Sequence, residues 1–98
     1  MPFFEVTLAG PPDETHIAMA TDPKLAKHRV RQQIEWRDKK DVAHSALSVR
    51  EMAYDESLTL CQEYNPLTHR VDDWAFLLHD LKENRVEHPG LIYLGEKV

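Results

Sequence analysis

FFEVTLAGPPDETHIAMATDP, residues 3–23, is the stretch whose reading decides the fold. Phe4, Val6 and Leu8 alternate with Glu5 and Thr7, the period-two pattern of a strand with one buried face. Gly10-Pro11-Pro12-Asp13 interrupts it, because the prolines cannot donate to a ladder and favour turn geometry. His16-Ile17-Ala18-Met19-Ala20 returns as a second strand, giving a β-hairpin over residues 3–20. Thr21-Asp22-Pro23 then opens a helix. It supplies a capping carboxylate followed by proline at the first helical position, where a missing N–H costs nothing.

The pattern continues outward from that start. Ala26, Val30 and Ile34 form one apolar stripe of a helix over 23–38, with Leu25 and Trp36 at its edge and Lys24, Lys27, His28 and Arg31 opposite. Asp38-Lys39-Lys40-Asp41 ends it, and Val42–Ala46 reads as a short helical turn. Ser48-Val49-Arg50-Glu51 has the form of a capping box, flanked by Leu47 and Met52 at the positions of a hydrophobic staple. It predicts a second helix over 49–64, ended by Asn65-Pro66. Val71, Trp74, Ala75, Leu78 and Leu81 fall on one arc and predict a third helix over 69–83. His88-Pro89-Gly90 reads as a turn and Leu91–Leu94 as a short strand. The expected fold is a small single α+β domain: N-terminal β-hairpin, three helices and a short C-terminal strand.

Ninety-eight residues suit one domain and are too few for a TIM barrel or a two-half dinucleotide-binding fold. Cys61 is the only cysteine, so no internal disulfide and no zinc–thiolate cluster is available, as expected of a reducing compartment. Met1–Gly10 has neither a basic start nor a long apolar run, which argues against a signal peptide. The longest apolar run, Trp74–Leu78, is far short of the roughly 20 residues of a membrane span. The expectation is a soluble cytoplasmic protein with no membrane partner.

Charge is segregated within a formal net of −5. Residues 22–40 carry seven bases against three acids, whereas residues 41–98 carry five bases against eleven acids. Lys24, Lys27 and Arg31 line one face of the first helix and make it a candidate partner-binding surface. Direct nucleic-acid binding through this helix is an alternative. The acidic pI near 5.6 and the lack of an aromatic residue among the basic ones oppose it.

Six histidines raise metal binding as a further alternative, a small His-dependent metal-binding protein or metalloenzyme. No two of them lie three or four residues apart; His69 with Asp73 and His79 with Glu83 offer two ligands each, where zinc wants four. No metal and no cofactor is therefore assigned. Cys61 lacks an activating base, the serines sit in no nucleophile elbow, and three glycines cannot build a phosphate loop. The acid pairs Asp13-Glu14, Asp55-Glu56 and Asp72-Asp73 do not converge on one point. No catalytic residue is assigned, and the chain is read as non-enzymatic.

On the predicted third helix, Phe76 lies opposite the apolar arc, with Asp72, Asp73, Asp80 and Glu83 around it. An aromatic residue within a polar rim has the anatomy of an interface anchor. The expected function is thus a protein-binding module that inhibits or regulates a larger cytosolic protein. At the level of class, small acidic chains of this kind look like phage-encoded inhibitors or immunity proteins. Their targets include nucleases and other nucleic-acid-processing enzymes with basic clefts.

Overall fold

The computed structural model describes residues 2–10, 13–63, 83 and 91–95. It is a small α+β fold. In chain order the elements are β1 (Phe3–Leu8), β2 (Glu14–Met19), α1 (Pro23–Asp38), a single 3-10 turn (His44–Ala46), β3 (Leu47–Met52), α2 (Tyr54–Gln62) and β4 (Leu91–Gly95). The strands form an antiparallel sheet in the order β3-β1-β2-β4. Turn chemistry closes the hairpin as expected: the Asp13 carboxylate accepts the backbone N–H of Gly10 at 3.0 Å.

Strand alternation divides the core between two faces. Phe4, Val6, Ala18, Ala20 and Leu47 pack against Ala26, Val30 and Ile34 of α1 and against Val42. Phe3, Ile17, Met19, Met52 and Leu94 pack on the other face with Leu60, while Tyr54 and Leu58 of α2 cover them. The rings of Phe3 and Tyr54 lie 5.9 Å apart, tilted by 51°. Val30 and Ile34 are fully buried, each contributing about 1.5–3 kcal/mol by removal from water. α1 joins β2 to β3 across one face, with β1 lying between those two strands.

The second helix is a correction. Ser48–Glu51 is not a capping box, because Leu47–Met52 is a strand paired with β1 and Ser48 stands opposite Thr7. Leu47 and Met52, expected to staple a helix end, point to opposite faces of the sheet and fill the two cores. A cap contributes about 0.5–2 kcal/mol, whereas burying Leu47 and Met52 contributes about 1.5–3 kcal/mol each, so the sheet wins. Glu5 and Arg50 are register partners, and their side chains approach to 3.6 Å. The helix begins instead at Tyr54, where Glu56 reaches back to accept the backbone N–H of Ala53 at 3.3 Å. Asp55 and Glu56 occupy its first turn, where the helix dipole favours acids. The predicted third helix lies outside the described residues.

Candidate interaction surface

α1 starts and stops where its sequence directs. The Asp22 carboxylate accepts the backbone N–H of Leu25 at 2.8 Å, ahead of Pro23. At the other end Lys39 adopts a left-handed conformation, φ 59° and ψ 36°, and its N–H donates to the Glu35 carbonyl at 2.9 Å. Glycine is the usual residue there. A side chain with a Cβ in that conformation costs roughly 1–2 kcal/mol.

The described arginines are committed to holding the fold together. Arg29 donates to the Met19 carbonyl at 2.9 Å, tying α1 to the end of β2. Arg31 Nε donates to the Val42 carbonyl at 2.7 Å and lies 3.7 Å from Glu35. Arg37 binds both carboxylate oxygens of Glu14 on β2 and both of Asp38. Arg50 donates to Glu56 at 3.0 Å and reaches Glu5. These contacts hold the Asp38 carboxyl below its ordinary range through Arg37, and that of Glu56 below its range through Arg50. Arg31, expected on the same face as Lys24 and Lys27, directs its Nε to the loop after α1 and is half-buried, whereas Lys24 is exposed.

The acids of α1 and of its N-cap are committed as well. Asp22 caps the helix, Asp38 holds Arg37, and Glu35 accepts the backbone N–H of Val42 at 2.7 Å. Lys24, Lys27, Lys39 and Lys40, by contrast, make no ion pair with another described residue. Lys24, Lys39 and Lys40 are exposed and Lys27 is half-buried. The result is a helix whose surplus positive charge faces outward.

Trp36 stands on that surface. It is 70% exposed, and the Lys39 ammonium lies 4.9 Å from the centre of its ring. Its expected place at the edge of the buried stripe is thus corrected. At 100° per residue Trp36 sits about 120° from the middle of the Ala26-Val30-Ile34 stripe, beyond reach of the sheet. Lys24, His28, Gln32 and Trp36 follow one another at intervals of four and are all exposed, forming a continuous outer ridge. A shallow hollow of about 540 Å³ at its start is bounded by Asp22, Pro23, Leu25 and His28. The aromatic residue found missing from the basic helix is therefore present, and a helical wheel referred to the stripe would have located it.

The other assigned residues fall elsewhere. Glu83 is exposed, whereas Phe76, Asp72, Asp73 and Asp80 lie outside the described residues. Behind the sheet, Glu5, Arg50, Asp55 and Glu56 border a cleft of about 400 Å³. His16 is buried, 3.6 Å from Glu14, and burial pushes its pKa down to about 4 even though the Glu14 carboxylate opposes the shift. Among the described residues no group of three or more His, Cys, Asp or Glu side chains is placed to hold a metal ion. No helix among them is long and apolar enough to cross a membrane. No protein-family model, no curated protein and no solved structure matches the chain.

Proposed function

We propose that the chain is a non-enzymatic protein-binding module that attaches to a larger protein and alters its activity, with the outer ridge of α1 as a contact face. The observation that carries this reading is the exposure of Trp36 among lysines that make no ion pair with another described residue. Tryptophan is among the residues enriched at interface hot spots, and lysines without an ion pair draw an acidic partner toward it. The ridge is the convex outer side of a helix packed on the sheet, so it suits an acidic concavity on the partner.

A single nucleic-acid strand is the competing occupant, because Trp36 supplies a stacking ring on a basic helix. Two observations favour protein. The described arginines, the residues best suited to phosphate, are all engaged within the fold. Trp36 is the only large apolar side chain exposed among the described residues, whereas strand-binding surfaces stack several bases.

Affinity capture from host lysate with wild-type protein and with Trp36→Ala tests the reading. A partner retained by the wild type and lost by a normally folded Trp36→Ala supports it. Equal retention by Trp36→Ala and by Lys24→Glu/Lys39→Glu/Lys40→Glu excludes the ridge. Phe76→Ala in the same assay tests the second proposed anchor, with Asp72, Asp73, Asp80 and Glu83 as its rim.

A further inference from the structure

Lys39 is the one non-glycine residue with positive φ among those described, and it stands where glycine or asparagine would end α1 more favourably. Backbone strain retained at one position points to a use for the side chain held there. The structure supplies that use: the Lys39 ammonium is carried back over the ring of Trp36, three residues earlier, at 4.9 Å. The left-handed turn sets this geometry, because it reverses the chain just after the helix and directs residue 39 toward the ridge. A cation resting on an exposed indole is partly stripped of water on the ring side and open on the other. Lys40, also exposed, follows directly.

We propose that Trp36 and Lys39 form a preassembled receptor for an acidic side chain that lies next to an apolar residue on a partner protein. Lys39 is its specificity-determining position. The carboxylate pairs with the ammonium, and the neighbouring apolar side chain packs on the indole. Placing the charge beforehand limits the side-chain entropy lost on binding, which is the usual weakness of lysine at interfaces. The inference rests on the reading of the ridge as a protein-contact face and adds the chemistry of what it contacts.

The probe is the peptide acetyl-Glu-Glu-Leu-Phe-Glu-Glu-amide, followed through the Trp36 indole N–H resonance, which is assigned by its loss in Trp36→Phe. The expected result is a saturable shift, weakened about fivefold or more in Lys39→Gly and retained in Lys39→Arg. Lys39→Gly should at the same time melt at a higher temperature than the wild type, because glycine relieves the left-handed turn. The same peptide with glutamine in place of each glutamate should not saturate. Undiminished binding by Lys39→Gly, a lower melting temperature for that variant, or equal binding of the glutamine peptide each overturns the proposal. So does an oligothymidylate that shifts the indole resonance more strongly than the peptide, which assigns the ridge to nucleic acid. Should the peptide fail while a lysate partner is still lost with Trp36→Ala, the receptor is refuted and the protein-contact reading stands.

Discussion

Arg31 and Glu35, one turn apart on α1, hold the same residue by both of its backbone polar groups. Arg31 donates to the carbonyl of Val42 at 2.7 Å, and Glu35 accepts the Val42 N–H at 2.7 Å. Val42 is buried in the core beneath α1, so its peptide groups have little access to water and need partners within the fold. The ion pair thereby fixes where the chain leaves α1 and enters the 3-10 turn ahead of β3.

Arg31→Ala should accordingly destabilise the fold by about 2 kcal/mol, the scale of a hydrogen bond to a charged group. Lys24→Glu and Lys40→Glu should each shift stability by about 0.5 kcal/mol or less, as exposed charges do. Urea denaturation of the three single variants measures this. Equal effects at all three positions would show that Arg31 does not secure Val42.

Ser48 is an exposed strand residue rather than a helix cap, and Ser48→Ala should therefore change stability by no more than about 0.5 kcal/mol. Glu56→Ala should lower the melting temperature more, because Glu56 holds both Ala53 and Arg50. Thermal denaturation of the two variants decides the order. The reverse order would return the helix start to Ser48.

His16 gives the fold a pH dependence with a defined window. Its pKa falls from 6.5 to about 4 on folding, so between those values the unfolded chain binds a proton that the folded chain does not. Stability from this residue is fully present above pH 6.5 and declines as pH falls toward 4, by an amount on the order of 3 kcal/mol. His16→Leu should flatten the stability profile across this window. A profile of unchanged slope in a folded His16→Leu protein would mean that other groups set it.

Association through the ridge should depend on salt. Lys24→Glu combined with Lys40→Glu should slow association with an acidic partner and reduce its ionic-strength dependence, leaving dissociation nearly unchanged. Trp36→Ala should act chiefly on dissociation, since it removes packing and not steering. Stopped-flow measurements at two salt concentrations separate these effects, and identical behaviour of the two variants would contradict the assignment.

The parts of this fold that were legible in the sequence are those settled by near neighbours. The hairpin follows from alternation in residues 4–8 and a proline turn, and α1 from Asp22-Pro23 and a stripe that the structure buries completely. β3 is not legible locally, because a four-residue cap pattern competes with pairing to β1, some forty residues distant, and near neighbours alone do not reveal that partner. Lys24, Lys27 and Arg31 form one set on the helical wheel, and what separates Arg31 from Lys24 in space is a loop carbonyl opposite it, visible in three dimensions alone. Trp36 was recoverable from its angle on the wheel.

Among the described residues of α1 and the turn after it, the division between arginines that anchor the helix and lysines that make no ion pair has a chemical consequence. Acetylation removes the charge of an amine and leaves a guanidinium untouched. A reagent or enzyme acting on Lys24, Lys27, Lys39 and Lys40 would erase the positive field of α1 while Arg29, Arg31 and Arg37 kept their grip on Met19, Val42 and Glu14. The surface charge of α1 can therefore be edited independently of the contacts that anchor it.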